Sequence, residues 1–164
     1  MINFDQNATT PVDEEVLDEL IRATREFSGN SSSGHSLGSK AGKFLRECRE
    51  RVARILNAAD SDEIVFTSGG TESDNLGILG HLKRLRGGGT VLYSAAEHAA
   101  VRNACLEAGS RGFAVKQIPL DSRGSLDLEA LEGMLDENVR LVAVMQVCNE
   151  TGVIMPLERL VALR

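Results

Sequence analysis

The spacing of apolar and polar residues near the start of the chain predicts two helices joined by an irregular stretch. Apolar residues recur at helical spacing between Val16 and Ile21, after acidic residues at 13–15 that suit the first turn of a helix. A second apolar stripe predicts a helix over residues 41–56. Residues 27–39 are rich in Ser, Gly and Asn, which excludes a regular element. Their composition favours a flexible linker, and a hydroxyl-rich ordered loop is the alternative.

The rest of the chain alternates short β-branched or apolar runs with amphipathic segments. Runs typical of strands cover residues 63–67, 90–94, 114–120 and 141–147. The last of these is apolar enough to be buried on both faces of a sheet. Helical patterns cover residues 71–86, 98–110, 126–135 and the stretch from 156 onward. This alternation predicts βαβ units and a mostly parallel sheet.

The composition is that of a globular chain and excludes several classes of protein. Its 164 residues are 42% hydrophobic and 26% charged, which is too apolar for a disordered protein. A formal net charge of −6 without a basic block argues against nucleic-acid binding. No apolar run has the length of a membrane-spanning helix, and the first residues lack a secretory signal pattern. We therefore expect a cytoplasmic protein that binds neither nucleic acid nor a membrane.

The three cysteines, Cys48, Cys105 and Cys148, lie far apart and form no CxxC pair. Their number and spacing argue against a disulfide framework and a zinc site. We expect them to be small buried hydrophobic side chains, and we predict no metal site.

The sharpest local motif is residues 67–74, where a predicted strand passes through Gly69 and Gly70 into a helix. Backbone N–H groups at a helix start suit an anion, and glycine lets a phosphate approach the backbone closely. The motif is neither a dinucleotide fingerprint nor a P-loop. A capping box is the other interpretation, with Thr71 as the cap and Asp74 completing it. The local residues leave a phosphate site and a helix cap equally open.

Two further candidates also follow predicted strands. His98 comes after the strand at 90–94, and Asn149 comes after the strand ending at 147. The carboxyl ends of strands in open α/β sheets are where ligands bind, so an imidazole and an amide there suit a flat ring and its oxygen. A histidine that caps or packs, and a turn asparagine, are the structural alternatives.

Five motifs, taken together, resemble a known family. They are DQNATTP at 5–11, GNSSSGHSLG at 29–38, IVFTSGGTESDN at 64–75, AEHAAV at 96–101 and VCNETGVI at 147–154. Their order and spacing closely resemble those of the cysteine desulfurases, the NifS/IscS-like enzymes of the class V aminotransferase group, which depend on pyridoxal phosphate. The chain departs from the family pattern at Ser31, where a proline is usual, and at Cys148, where an asparagine is usual.

The resemblance implies a fold and a cofactor. The fold is a three-layer α/β/α arrangement with a mostly parallel sheet, as in the large domain of fold type I aminotransferases. Residues 1–12 would be an N-terminal segment, and residues 13–164 part of the pyridoxal-phosphate-binding large domain.

The family's site residues carry over onto matching positions of this chain. Gly70 and Thr71 would hold the cofactor phosphate. His98 would stack on the pyridine ring and assist proton transfer as the catalytic residue, and Asn149 would hydrogen-bond the phenolic oxygen of the ring. Residues implied to lie near the substrate are Ala8, Thr9, Asn30 and His35.

The resemblance also implies an activity, the conversion of L-cysteine to L-alanine with the sulfur left as an enzyme-bound persulfide for iron–sulfur cluster or thio-cofactor assembly. The complete protein would be a homodimer with a sulfur-acceptor or scaffold protein as partner. In the family, the Schiff-base lysine and the nucleophilic cysteine lie beyond the region that this chain covers. We therefore expect the N-terminal part of a desulfurase, inactive by itself. The alternative is a non-catalytic truncated or split-gene product that binds the cofactor or docks a partner.

Overall fold

A computed structural model of the chain describes residues 2, 5–6 and 8–163, except for the side chain of Asp62. The chain divides into two compact units, Met1–Phe66 and Thr67–Arg164. No helix in the described residues is both long and apolar enough to cross a membrane.

The first unit contains the two predicted helices, α1 at Glu14–Glu26 and α2 at Ser36–Leu56, followed by a short 3-10 helix at Ser61–Glu63. The Asp13 carboxylate caps α1 by accepting a hydrogen bond from the Glu15 N–H at 2.9 Å. No residue of α1 is buried, and its apolar stripe is 38–59% exposed over Val16, Leu17, Leu20 and Ile21. The helical pattern is therefore confirmed, although nothing in the described chain buries this stripe.

The stretch between these helices is an ordered loop and not the flexible linker that its composition favours. The Asn30 carboxamide oxygen accepts a hydrogen bond from the Ser32 N–H at 2.9 Å, and the Asn30 carbonyl accepts one from the Ser33 N–H at 3.0 Å. The loop also packs closely against α2. Gly38, in the first turn of α2, lies so near the Asn30 carbonyl oxygen that a Cβ placed on it would be 2.7 Å from that oxygen. Helix α2 consequently begins at Ser36, earlier than its apolar stripe predicts.

The predicted strand at residues 63–67 is wrong. Residues 61–63 form the 3-10 helix, and residues 64–67 belong to no strand. Val65 and Phe66 are 62% and 46% exposed. A β-branched run favours an extended backbone, but a strand also needs a hydrogen-bonded neighbour, and no described residue pairs with this run.

The second unit is built on three parallel strands: β1 at Gly89–Ser94, β2 at Phe113–Ile118 and β3 at Val139–Ala143, in the order β2-β1-β3. Its helices are α3 at Gly70–Lys83, α4 at Ala99–Ser110, α5 at Leu128–Met134 and α6 at Leu157–Val161. The predicted βαβ alternation and parallel sheet are confirmed.

Helices cover both faces of this sheet. On one face Leu82 of α3 and Cys105 of α4 pack in a cluster with Val91 of β1. On the other face Leu92 of β1 packs in a cluster with Leu131 of α5. Neighbouring strand residues point to opposite faces, so β1, which is buried over residues 90–94, serves both layers. The three-layer α/β/α class is therefore confirmed.

Strand β3 ends at Ala143, whereas the sequence predicted that it would reach Val147. Beyond it the chain turns back on itself, and Val147 forms an antiparallel bridge with Ile154. Val147 is 48% exposed, and the apolar side chains of β3 are only partly buried because β3 lies at the edge of the sheet that the described residues form. The prediction of a strand buried on both faces over 141–147 is therefore wrong.

Candidate cofactor-binding site

The corner that follows β1 places His98 at the carboxyl end of the sheet. Ser94 is fully buried, and its hydroxyl oxygen accepts a hydrogen bond from the Ala96 N–H at 3.1 Å. His98 then caps α4, because its Nδ1 accepts a hydrogen bond from the Ala100 N–H at 3.2 Å. An accepting Nδ1 carries no proton, so the ring proton lies on Nε2. The imidazole is exposed, so its capping role leaves the ring accessible to a ligand.

A short hairpin beyond β3 carries Asn149. The Cys148 N–H donates to the Val153 carbonyl at 2.9 Å, and the Gly152 N–H donates to the Cys148 carbonyl at 2.8 Å. Gly152 has a φ of +74°, which favours glycine at this position of the turn. Asn149 is thus an exposed turn residue, which is the structural alternative that the sequence left open.

His98 and Asn149 line one cleft of about 520 Å³ at the carboxyl edge of the sheet. Its other lining residues include Ala96, Arg102, Leu120 and Cys148. A cleft of this size is within the usual range for a small-molecule site. The structure therefore brings together the two residues that were predicted to contact the cofactor ring.

Gly70 and Thr71 form the first turn of α3 and are not among the residues that line this cleft. The predicted Thr71 capping box is wrong, because the cap residue is Gly69 and it makes no side-chain cap hydrogen bond. The first bond of the helix runs from the Ser73 N–H to the Gly69 carbonyl at 3.1 Å, so the preceding amides have no partner within the helix. A Cβ placed on Gly69 or Gly70 would meet no atom within 4 Å, so the backbone at this helix start is not crowded by other parts of the chain.

Acidic residues lie near this helix start. The Glu72 carboxylate accepts hydrogen bonds from the Ser68 hydroxyl and the Ser68 N–H, both at 2.6 Å, and these bonds lower the pKa of Glu72. Burial raises the pKa of the half-buried Glu97, and the charge of Asp74 raises it further. Since Asp74 belongs to α3 and Glu97 precedes His98, the start of α3 lies close enough to the β1–α4 corner for their charges to interact.

The residues present fit pyridoxal phosphate. The open first turn of α3 has unpaired amides and no Cβ in the way of a phosphate, despite the nearby Glu72 carboxylate. An exposed imidazole and an exposed amide share the neighbouring cleft, which suits a flat ring with a polar oxygen. Neither Lys83, at the last residue of α3, nor Lys116, within β2, lines this cleft.

The residues predicted to lie near the substrate belong to the first unit. The Ala8 and Thr9 N–H groups both donate to the Asp5 carbonyl, at 3.1 and 3.3 Å. Asn30 shapes the ordered loop, and His35 caps α2 by accepting a hydrogen bond from the Gly38 N–H at 3.4 Å. Each of these residues thus has a local structural role, and its proximity to the substrate stays a prediction.

Arg102 and Glu97 are two charged cleft residues that the sequence patterns did not predict. Arg102 lies four residues after His98 on α4, so helical spacing was a signal that could have found it. Glu97 accepts a hydrogen bond from the Met145 N–H, 48 residues away along the chain, and no local pattern predicts such a contact.

Comparison with known proteins identifies the family. The aminotransferase class-V family model matches residues 2–164, so the chain belongs to this family. It is 40% identical to the cysteine desulfurase NifS of Azotobacter vinelandii over 162 aligned residues. The aligned region covers 99% of this chain and 40% of that protein. It is also 40% identical over 158 residues to the cysteine desulfurase IscS 1 of Archaeoglobus fulgidus, covering 96% of this chain and 41% of that one. The resemblance to the cysteine desulfurases is confirmed.

Solved structures agree with this assignment. A NifS-like protein superimposes with a TM-score of 0.88 and 41% identity, over 98% of this chain and 44% of that one. A structure described as SspA in complex with cysteine gives a TM-score of 0.89 and 33% identity, over 99% and 47%. The chain spans about 40% of the length of the curated relatives it matches.

Proposed function

We propose that the chain is the N-terminal part of a pyridoxal-phosphate-dependent cysteine desulfurase and supplies part of its cofactor site. The observation that carries this proposal is the convergence of His98 and Asn149 in one cleft at the carboxyl edge of a parallel sheet. The similarity to cysteine desulfurases along almost the whole chain supports it.

Each site residue has a chemical task in this proposal. The Gly70 and Thr71 amides bind the cofactor phosphate, assisted by the dipole of α3. His98 stacks on the pyridine ring and holds a proton at Nε2, since its Nδ1 accepts a bond from the backbone. Asn149 hydrogen-bonds the phenolic oxygen of the ring. When bound, pyridoxal phosphate supplies the electron sink for chemistry at the α carbon of an amino acid.

The substrate and partners are proposed for the complete protein. L-Cysteine is the proposed substrate, and a structural neighbour described as a complex with cysteine supports it. The products are L-alanine and a persulfide on the enzyme, whose sulfur serves iron–sulfur cluster or thio-cofactor assembly. A cytoplasmic homodimer that meets a sulfur-acceptor or scaffold protein completes the proposal.

This chain by itself is proposed to bind the cofactor without turning over cysteine. No lysine lines the cleft to form a covalent link. Burial raises the pKa of the Cys105 thiol to about 11, so this cysteine is a poor nucleophile at neutral pH. Cys148 lines the cleft but is only 7% exposed, and it does not match the family's nucleophile position.

A partner-docking module is the second candidate function. The apolar stripe of α1, at Val16, Leu17, Leu20 and Ile21, is the observation that favours it, because so much exposed apolar surface on one helix is typical of an interaction face.

A turnover assay tests the proposed function. We expect the purified chain, mixed with pyridoxal phosphate, L-cysteine and a thiol reductant that releases persulfide sulfur as sulfide, to produce neither alanine nor sulfide. The same mixture with a chain that supplies the remaining part of the enzyme should produce both. Turnover by the chain alone would contradict the proposal that it lacks essential groups, and the absence of rescue would favour the docking module.

A further inference from the structure

Glu97 lies in the corner between β1 and α4, directly before His98. This corner is fixed to the sheet by backbone bonds: the Ala95 N–H donates to the Ile118 carbonyl at 2.9 Å, and the Glu97 N–H donates to the Ser94 carbonyl at 3.1 Å. Because Ser94 and Ile118 are fully buried, the backbone of Glu97 has a fixed position relative to the strands.

The Glu97 carboxylate crosses from this corner to the chain that leaves β3. Its Oε1 accepts a hydrogen bond from the N–H of Met145, which lies just beyond the last strand residue, Ala143. Tyr93 and Ala143 are the last residues that pair β1 with β3. The side chain of Glu97 therefore continues the connection between the two strands past the end of their backbone ladder.

The segment that begins at Met145 leads into the hairpin that carries Asn149. The Met155 N–H donates to the Gln146 carbonyl at 2.8 Å, which closes the base of this hairpin directly after Met145. One hydrogen bond thus links the loop that presents His98 to the loop that presents Asn149. Both residues line the same cleft, and Glu97 lines it as well.

We propose that Glu97 is a positioning residue, whose bond to Met145 fixes the spacing of His98 and Asn149 around the cofactor ring. This inference rests on the proposed function. Binding residues need to be held close to their productive geometry by the groups behind them, and a charged acceptor on a partly buried amide is a strong restraint. Removing a carboxylate partly from water costs free energy, and the hydrogen bond from the Met145 N–H offsets part of that cost.

The proposal is tested in the full chain with the variants Glu97→Ala, Glu97→Asp and Glu97→Gln. Alanine removes the acceptor and aspartate shortens the side chain, whereas glutamine keeps an acceptor oxygen of the same reach. Glu107→Ala removes an exposed carboxylate from α4 and serves as the matched control. The readouts are the hydrogen-exchange rate of the Met145 amide, the NMR signals of the His98 ring and the Asn149 amides, and the affinity for pyridoxamine phosphate.

We expect Met145 exchange to accelerate by at least on the order of tenfold in Glu97→Ala and Glu97→Asp, since the amide loses its partly buried partner. The His98 and Asn149 signals should shift in both variants, and affinity for pyridoxamine phosphate should fall about tenfold. Glu97→Gln should restore most of each property, and Glu107→Ala should change none. Unchanged Met145 exchange in Glu97→Ala, or an equal loss in Glu97→Ala and Glu97→Gln, would overturn the inference.

The failure of this inference is distinguishable from the failure of the proposed function. If pyridoxamine phosphate does not bind the unaltered chain, the proposed function fails. The Met145, His98 and Asn149 signals still decide whether Glu97 positions the two loops.

Discussion

At the scale of single residues, burial changes the ionisation of groups beside the candidate site. Burial raises the pKa of Glu97, the charge of Asp74 raises it further, and the bond from Met145 lowers it in part. Burial, with a contribution from the nearby Glu97 carboxylate, also raises the pKa of Cys105 to about 11. Glu97 therefore interacts electrostatically with Asp74 of α3 and Cys105 of α4.

The raised pKa of Glu97 predicts a pH-dependent stability. A carboxyl group whose pKa is higher in the folded than in the unfolded chain stabilises the fold below its unfolded value of 4.5, and this contribution is lost as the pH rises through the folded value. Glu97→Gln is neutral at every pH and keeps an acceptor for Met145. We therefore expect the stability of Glu97→Gln, relative to the unaltered chain, to increase between about pH 4 and pH 7.

Urea unfolding at both pH values measures this change. Tyr93 is the single tyrosine, the chain has no tryptophan, and Tyr93 is buried in β1, so its fluorescence reports on the second unit. Glu107→Gln, at an exposed position of α4, is the control and should show no comparable rise. A relative stability of Glu97→Gln that falls with rising pH would contradict the assigned environment of Glu97.

At the scale of elements, the start of β1 depends on one glycine. Gly89 has a φ of +135°, and a Cβ placed on it would lie 2.7 Å from the Asn138 carbonyl oxygen. That carbonyl accepts a hydrogen bond from the Thr90 N–H at 2.9 Å, so it is part of the connection between β1 and β3. Neither the backbone at Gly89 nor the Asn138 carbonyl can move away without disturbing this connection.

Gly89→Ala should therefore destabilise the second unit by about 1–3 kcal/mol, through an unfavourable φ and a backbone clash. Gly77→Ala is the matched control, because Gly77 lies inside α3 and a Cβ there would meet no atom within 4 Å. We expect this control to stabilise the chain by up to about 1 kcal/mol. Urea unfolding followed by Tyr93 fluorescence compares the two, and equal stabilities would show that the backbone at Gly89 is not restrictive.

The elements whose predicted bounds agree best with the structure are those whose apolar pattern reports burial within the chain. Strand β1 and helix α4 match their predicted positions closely, because Val91, Leu92 and Cys105 pack in the core. Residues 63–67 have the composition of a strand, but pairing depends on a neighbour that composition does not encode. The end of β3 was misplaced because Val147 continues the apolar run while the backbone turns into a hairpin.

The candidate site was predictable only in part. Glycines at a helix start indicated Gly70, and polar residues after strands indicated His98 and Asn149 because parallel strands present their carboxyl ends at one edge. The contact between Glu97 and Met145 joins residues 48 positions apart, and it depends on the strand order, which local patterns do not determine.

At the scale of the whole molecule, the chain belongs to the aminotransferase class-V family and spans about 40% of its curated relatives. The residues proposed to bind the cofactor, Gly70, Thr71, His98 and Asn149, all lie in the second unit. The central claim is that these residues bind pyridoxal phosphate without a covalent link. Testing it requires a ligand that keeps the phosphate and the ring but cannot react with lysine.

Titration of the ¹⁵N-labelled full chain with pyridoxamine phosphate, followed by NMR, tests this claim most directly. Pyridoxamine phosphate has no aldehyde, so it cannot condense with the lysines. We predict saturable shifts of the Gly70, Thr71, His98 and Asn149 amides, whereas inorganic phosphate should shift only Gly70 and Thr71. His98→Ala should weaken the binding of pyridoxamine phosphate and leave the response to inorganic phosphate unchanged. Saturable shifts confined to other residues, or none at all, would contradict the account.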